Sequence, residues 1–255
     1  MSRQSNAYIL VFAAIMTLIV GGSLSGASVL LKDRQKEAER LDQQKQILAS
    51  VMDISDVENI GALYAERIEA YVVDINGDRV EGQDASKVDV RKEFKDKKDP
   101  AERLYPVYEF KNESGQVAAY ILPVYGAGLW DNIWGFVALD TDMNTILGIT
   151  LDHAGETPGL GARITTPEVQ ERFQGKQVFN AEGQVEAVTM LKGESNPIPE
   201  DDKHRVNGMS GATITGNGVS NMLQAYFSHY AGFLKKGMQA SAPQESIDQL
   251  ATANE

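Results

Sequence analysis

The stretch at residues 207–218, NGMSGATITGNG, decides how the C-terminal half of the chain folds. It is a loop of small residues, and the apolar residues that follow it recur at helical spacing. These residues are Val219, Met222, Leu223, Tyr226, Phe227, Tyr230, Phe233 and Leu234. A small-residue loop that opens a helix can turn its backbone N–H groups toward an anion, which the helix dipole also favours. The stretch lacks the Gly-Lys-Ser/Thr of a Walker loop, so its residues leave open a tight turn in which Thr215 or Asn217 caps the helix.

A second glycine-rich stretch, HAGETPGLG at residues 153–161, directly follows a strand-like run. Apolar, β-rich runs are predicted as strands at 104–110, 117–124, 133–139, 146–151 and 185–191. A capping box at 165–168, with Pro167 early in the helix, predicts a short helix that ends near Gly175. The pattern predicts an α+β fold, with a soluble mixed α/β domain at residues 103–239.

The N-terminal region is apolar and uncharged from residue 4 to residue 31, a run of 28 residues. That length exceeds the ~20 residues that cross a bilayer, so residues 1–31 are predicted to form a single transmembrane anchor. The alternative is a cleavable signal peptide with Ile9–Val20 as its apolar region and Ser25-Gly26-Ala27 as its cleavage site. Basic residues follow the run but alternate with acidic ones, so charge leaves the orientation in the membrane undecided.

Residues 32–102 are predicted to form a helical stalk and a small α/β subdomain. The pattern indicates a helix from Asp33 to Met52, a capping box at 55–58, and a strand at Tyr71–Ile75 that turns at Asn76-Gly77. A calcium loop at the same turn is disfavoured because the carboxylate at its twelfth position is missing. Residues 84–103 carry many charges of both signs, which indicates a solvated face, and residues 240–255 are predicted to be a flexible tail.

Composition excludes several classes of function. Lys+Arg 24 against Asp+Glu 36 gives a net charge of −12, which argues against a nucleic-acid partner. The chain has no cysteine, and its three histidines show no metal-ligand spacing, so no metal site and no cysteine nucleophile are predicted. A hydrolase with Ser210 as nucleophile is disfavoured because G-M-S-G-A lacks the second glycine of a nucleophile elbow. No catalytic residue is predicted, and we expect the chain to depend on a cofactor.

Three ordered motifs resemble the signatures of the FMN-binding domain family. Ser210-Gly211-Ala212-Thr213 is similar to the family's flavinylation motif, Glu156-Thr157-Pro158-Gly159-Leu160-Gly161 to its second signature, and Gly128-Leu129-Trp130 to its third. The chain departs from the family pattern at Asn207, where the motif commonly begins with Asp. The anchor, the length and the motif order resemble the family members of six-subunit, sodium-pumping NADH:quinone reductases. The corresponding, shorter member of the ferredoxin-linked (Rnf-type) electron transport complex is the alternative.

The resemblance implies a cofactor site. A dedicated flavin transferase would esterify the phosphate of FMN to the hydroxyl of Thr213. Ser210, Gly211 and Ala212 would let the backbone approach that phosphate, and Thr215 would hydrogen-bond to it. The 156–161 turn would lie against the isoalloxazine, with Thr157 at its polar edge and Leu160 on a face. The other residues expected to lie next to the flavin are Glu156, Gly159, Gly161, Leu129 and Trp130.

The resemblance also implies a role and a location. The flavin would pass electrons between other redox centres of a membrane complex that couples NADH oxidation by ubiquinone to Na⁺ export. NADH oxidation and quinone reduction would take place on partner subunits, so this chain alone would show little turnover. The large domain would lie in the periplasm, tethered to the bacterial inner membrane. The alternative from a different class is a non-redox, membrane-tethered ligand-binding module in which Thr213 only caps a helix.

Overall fold

The computed structural model describes residues 6–241, and these fall into two compact units that divide after Gln44. The helices are α1 (Asn6–Ala49), α2 (Ile60–Arg67), α3 (Val90–Asp96), α4 (Pro167–Gln170) and α5 (Thr213–Ser241). The strands are β1 (Ile68–Val73), β2 (Tyr105–Lys111), β3 (Val117–Ala127), β4 (Asn132–Leu139), β5 (Ile146–His153), β6 (Thr189–Leu191) and β7 (Arg205–Asn207). Short 3₁₀ turns lie at Ala85–Lys87, Pro100–Glu102, Gly161–Thr165 and Glu171–Phe173. The predicted tail lies, from residue 242 onward, outside the described residues.

The first unit consists of the N-terminal part of α1. This helix is long and apolar enough to cross a membrane, and its large hydrophobic side chains between Tyr8 and Leu31 are exposed. The prediction of a separate helix starting at Asp33 is wrong, because α1 runs without interruption from Asn6 to Ala49. No proline interrupts the chain between the apolar and the charged segment, so the backbone hydrogen bonds continue through both.

The second unit is built on a five-stranded antiparallel sheet. Its strands follow one another in chain order from β1 to β5, as in a meander. Successive residues of a strand point to opposite faces, so Ile121 contributes to one face while Leu122 and Val124 contribute to the other. The predicted class, an N-terminal apolar helix followed by a mixed α/β domain, is confirmed.

Helix α5 covers the face that carries the larger core. Val219, Leu223, Phe227 and Leu234 are fully buried against the sheet, as the apolar spacing predicts. Each such side chain contributes about 1.5–3 kcal/mol by leaving water. The hydroxyl of Tyr230 also donates to the backbone carbonyl of Pro106, 2.7 Å away, which ties the helix to β2.

The opposite face is covered by the C-terminal end of α1 and by α2. Ile47 packs there with Tyr108, Ile121 and Phe136, and Tyr64 of α2 borders the same cluster. The sheet therefore lies between two helical layers, and the end of β3 meets the start of α5 at one edge of the domain.

Three local predictions are corrected by side-chain hydrogen bonds. Helix α2 begins after Asn59, whose carboxamide accepts from the N–H of Ala62, rather than after the 55–58 box. Strand β6 begins at Thr189 and not at residue 185, because the N–H of Ala187 donates to the side chain of Gln224 in α5 instead of to a neighbouring strand. At the 165–168 box, Thr166 donates to the carbonyl of Arg163 instead of capping the helix.

The charged segment at 84–103 is more ordered than its composition indicates. Asp84, Asp89 and Asp99 each cap a short helical turn, and Arg103 is buried. The turn at Asn76-Gly77 is confirmed: Gly77 has φ of 79°, and the carboxylate of Asp74 accepts from the N–H groups of Asn76 and Asp78.

Candidate functional site

The three glycine-rich motifs meet at the N-terminus of α5. The loop after β3 contains Gly128-Leu129-Trp130, the turn after β5 contains Glu156–Gly161, and the loop after β7 leads into Thr213. Neighbouring strands place the first two motifs side by side. The start of β4, directly after the 128–131 loop, pairs with the C-terminal end of β5, directly before the 156–161 turn. The packing of α5 on β3 brings in the Ser210–Thr213 motif.

Thr213 is the first residue of α5 and is partly exposed. Its hydroxyl makes no hydrogen bond to any residue that the structure describes. The first N–H groups of a helix have no acceptor within the helix, so the first turn of α5 offers backbone donors beside this hydroxyl. In the preceding loop Ser210 is exposed, Ala212 is buried, and Gly211 has φ of 77°, a conformation that favours glycine.

Glu156 links the motifs to one another. Its side chain is buried, and one carboxylate oxygen, Oε1, accepts from the N–H of Trp130 at 2.9 Å. The other oxygen, Oε2, accepts from the hydroxyl of Thr215 at 2.6 Å. Burial opposes ionisation, but the hydrogen bonds from Thr215 and from the N–H groups of Trp130, Asp131 and Leu129 outweigh it and lower the pKa of Glu156. The carboxylate is therefore charged at neutral pH.

Two glycines make room for this carboxylate. A Cβ atom at Gly128 or at Gly161 would lie less than 2.5 Å from a carboxylate oxygen of Glu156. The requirement for glycine at both positions is thus explained by the space that Glu156 occupies.

Polar side chains from other elements hold the loop before α5. Arg172 donates to the backbone carbonyls of Asn207 and Gly208, and Glu194 accepts from the N–H of Ser210 at 2.8 Å. Arg163 forms an ion pair with Glu194. The bond from Ser210 and the ion pair with Arg163 lower the pKa of Glu194. The sequence predictions missed these three residues, because a contact between residues 16 to 36 positions apart leaves no periodic signal.

Asn207, where the family motif has Asp, also supports the loop. Its carboxamide oxygen accepts from the backbone N–H and from the side-chain amide of Asn196, both at 2.8 Å. A carboxylate could accept the same two hydrogen bonds, so this departure from the motif preserves the contact.

An exposed apolar rim, formed by four side chains, lies on the 128–131 loop, the 156–161 turn and the first turn of α5. Leu129 is 43% exposed, Trp130 70%, Leu160 41% and Ile214 58%. Among the described residues beyond Leu41, Phe94 is the other exposed large hydrophobic. The rim thus concentrates exposed apolar surface at the three motifs, which is typical of a ligand site. Ile214 was missed from the sequence, although its place after Thr213 in an amphipathic helix could have indicated it.

The structure brings the predicted site residues together with one qualification. Leu129, Trp130, Thr157, Gly159 and Leu160 are accessible, whereas Glu156, Gly161 and Thr215 are buried. A Cβ at Gly211 would lie 2.9 Å from a methyl group of Leu160, so the Ser210–Thr213 motif and the 156–161 turn are in close contact. The hydroxyl of Thr215 is directed toward Glu156, and Oε1 of Glu156 toward the backbone of the 128–131 loop, so neither polar group is exposed at the rim.

The residues fit a flavin phosphate ester in three respects: a threonine hydroxyl that no described residue engages, backbone donors at a helix N-terminus, and apolar side chains for an aromatic ring. Comparison with known proteins agrees with this chemistry. The FMN-binding domain family matches residues 128–228, which include all three motifs. The chain is therefore a protein with an FMN-binding domain.

Relatives define the family more narrowly. The NqrC subunit of the Na⁺-translocating NADH-quinone reductase of Haemophilus ducreyi is 37% identical, over 89% of this chain and 91% of that protein. The protein of the same name from Pseudomonas aeruginosa is 33% identical, over 92% of this chain and 98% of its own length. The chain belongs to the NqrC family of the Na⁺-translocating NADH-quinone reductase.

Solved structures show the same fold. The crystal structure of the NqrC subunit of the Na⁺-translocating NADH-quinone reductase from Parabacteroides distasonis is similar with a TM-score of 0.69 at 38% identity, covering 80% of this chain and 96% of that one. The crystal structure of Shewanella oneidensis NqrC also gives a TM-score of 0.69, at 28% identity, covering 80% of this chain and 100% of that one.

Proposed function

We propose that this chain is an electron carrier with FMN joined covalently to Thr213, in a membrane complex that oxidises NADH, reduces ubiquinone and exports Na⁺. The observation that carries the proposal is the setting of Thr213. The hydroxyl of Thr213 has no partner among the described residues, and Thr213 is the first residue of a helix of 29 residues. Exposed apolar side chains lie on the other two motifs and on the neighbouring Ile214. Membership of the NqrC family supports the redox role.

Attachment would join Thr213 Oγ to the phosphorus of the flavin. The bond from Oγ to phosphorus forms as the bond from phosphorus to the leaving group of an activated flavin nucleotide breaks, and the hydroxyl proton passes to that leaving group. The product is threonine carrying FMN minus water. The resulting diester has a charge of about −1, which the N–H groups of the first turn of α5 stabilise. A dedicated flavin transferase would catalyse this step on the exposed loop at Ser210, Gly211 and Thr213.

The rim residues would hold the ring. Leu129, Trp130 and Leu160 offer apolar contact to its faces, Ile214 extends that surface, and Thr157 offers a hydroxyl at its edge. FMN supplies reversible electron transfer when bound, and the protein tunes it through local charge and hydrogen bonds. A phosphoester leaves the ring free of covalent modification, so its purpose is retention of the cofactor.

The apolar segment of α1 would anchor the chain in the bacterial inner membrane, with the large domain in the periplasm. Permanent attachment suits that location, because free FMN lost there could not be replaced from the cytosol. The other five subunits of the complex would then carry the sites for NADH, quinone and Na⁺, so the isolated chain would show little turnover.

Flavin fluorescence in a denaturing gel tests the proposal. The chain is expressed with and without the flavin transferase, as wild type, Thr213→Ala, Thr213→Ser and Ser210→Ala. We expect a fluorescent band that depends on the transferase in the wild type and in Ser210→Ala, and none in Thr213→Ala. Thr213→Ser keeps a hydroxyl at the same place and should retain part of the signal. A dark wild-type band, with the transferase active on another substrate, would refute the covalent carrier and favour the ligand-binding module.

A further inference from the structure

We infer that Glu156 is a positioning residue, which aligns Thr213 and the 128–131 loop for flavin attachment through hydrogen bonds and does not itself touch the cofactor. The expected effect on flavin attachment rests on the proposed function, whereas the hydrogen bonds of Glu156 are contacts within this chain.

The two carboxylate oxygens of Glu156 are directed toward different elements of the fold. Oε1 is held by the N–H of Trp130, and Oε2 by the hydroxyl of Thr215. Thr215 lies two residues after Thr213 in the same helical turn, so a bond that holds Thr215 restrains the backbone from which the Thr213 side chain projects. One buried side chain therefore links the helical turn that carries the attachment point to Trp130 of the rim.

The carboxylate of Glu156 fits tightly between two glycines. Gly128 stands against Oε1 and Gly161 against Oε2, each so close that even a Cβ atom would overlap the oxygen. The carboxylate is enclosed between the two glycine backbones. Because Glu156 is only 4% exposed, the carboxylate presents almost no surface that a flavin could contact.

The hydroxyl proton of Thr215 is already engaged by Glu156. A threonine hydroxyl has one proton to donate, and here it is donated to Glu156 at 2.6 Å. A phosphate diester offers only acceptor oxygens. Thr215 thus cannot donate to the phosphate while it donates to Glu156, so the phosphate takes its hydrogen bonds from other donors, among them the backbone N–H groups of the first turn of α5.

The negative charge of Glu156 is balanced outside α5. A carboxylate and a phosphate both favour the positive end of α5, and two anions there would compete for its N–H groups. The N–H groups of Leu129, Trp130 and Asp131 compensate the charge of Glu156 instead. The donors of α5 are left for the phosphate.

The test compares Glu156→Ala with Glu156→Gln in the full chain. Alanine removes both links. Glutamine keeps them, since its oxygen can accept from Trp130 while its amide donates to Thr215, whose hydroxyl can rotate to accept. Glu171→Ala, which removes an exposed carboxylate on a neighbouring turn, is the matched control. Thr215→Val cuts the same link from the helix side and decides the matter if Glu156→Ala does not fold.

Two readouts are measured. One is the initial rate of flavin attachment by purified transferase, resolved into kcat and KM for the acceptor protein. The other is the emission spectrum of Trp130 in flavin-free protein, in a Trp134→Phe background that leaves Trp130 as the remaining indole. The second readout needs no flavin, so it tests the contact even if the proposed function is wrong.

We expect Glu156→Ala to lower kcat/KM for attachment by about tenfold or more and to shift the emission of Trp130, because small displacements of a reacting group slow a reaction steeply. Glu156→Gln should remain within about threefold of wild type, with wild-type emission, since neutral hydrogen bonds keep the geometry at about half the strength. Wild-type attachment and emission in both Glu156→Ala and Thr215→Val would overturn the inference. Equal losses in Glu156→Gln and Glu156→Ala would also overturn it, because they would show that charge and not geometry matters. A wild-type chain that never accepts flavin would instead refute the proposed function.

Discussion

Replacing Thr215 by valine removes one hydrogen bond from a buried carboxylate and changes little else in shape. Thr215 is 1% exposed and Glu156 is 4% exposed, so water cannot replace the lost donor. A hydrogen bond to a charged group contributes about 1.5–3 kcal/mol, and we expect Thr215→Val to lower the free energy of unfolding by about that amount. For a domain of this size each kcal/mol shifts Tm by about 2–4 °C, so Tm should fall by roughly 3–12 °C.

The matched control is Thr213→Val in the same helical turn. The Thr213 hydroxyl has no hydrogen-bond partner among the described residues and is partly exposed, so the same chemical change should alter stability by less than about 0.5 kcal/mol. Both variants are measured by thermal unfolding of the full chain in detergent, expressed without the flavin transferase so that no cofactor contributes. Equal shifts of Tm in the two variants would refute the structural role of Thr215.

The effect of Thr215→Val should also depend on pH. Because the folded pKa of Glu156 is lowered from its ordinary value of 4.5, its ionised form stabilises the fold above that value. This stabilisation is lost as pH falls through the folded pKa. The difference in Tm between wild type and Thr215→Val should therefore be constant near neutral pH and shrink below about pH 4.5. A difference that grows in acid would contradict the assignment of a charged Glu156.

Four further predictions concern the packing around the site. Gly218→Ala should destabilise the fold by about 1–3 kcal/mol, because its Cβ would lie 2.4 Å from the carbonyl oxygen of Ala127. Gly216→Ala should be neutral or stabilising in the same unfolding assay, because the atom nearest to its Cβ, in Met190, would be 3.6 Å away. Asn207→Asp should leave both Tm and flavin attachment at the wild-type level, while Asn207→Leu, which cannot accept from Asn196, should lower both. Arg172→Ala should speed hydrogen exchange at residues 207–210. Arg172→Lys should restore only part of the protection, because Nη1 of Arg172 donates to both carbonyls while Nη2 donates to Glu168, and a single ammonium group does not reproduce this arrangement. Leu160→Ala should leave covalent attachment intact but shift the visible absorption of the flavin; an unchanged spectrum would show that Leu160 is not a neighbour of the ring.

Periodic features of the fold could be predicted from the sequence. The apolar spacing from Val219 to Leu234 predicts the buried face of α5, and the β-rich runs predict four of the five sheet strands closely. Burial imposes a period on such residues, and a period can be read without knowledge of the partner. The length of β6 could not be read in this way, because the N–H of Ala187 is satisfied by the side chain of Gln224, in a helix that follows later in the chain.

The site could be predicted only as a set of motifs. Resemblance indicated which residues belong to it, but not that Glu156 and Thr215 face each other across 59 positions of sequence. The same holds for Arg163 with Glu194, whose contact supports the N–H of Ser210. A buried polar pair is fixed by tertiary geometry and leaves no pattern in either segment, so it becomes visible only in the structure.

Mass spectrometry of the peptide that contains Thr213 tests the central claim most directly. The full chain is produced with active flavin transferase, denatured, digested and fragmented so that the modified residue is located. The account predicts a peptide heavier by FMN minus water, with the added mass on Thr213 and absent from Ser210 and Thr215. An unmodified peptide from flavin-free protein, or flavin that separates from the chain on denaturation, would contradict it.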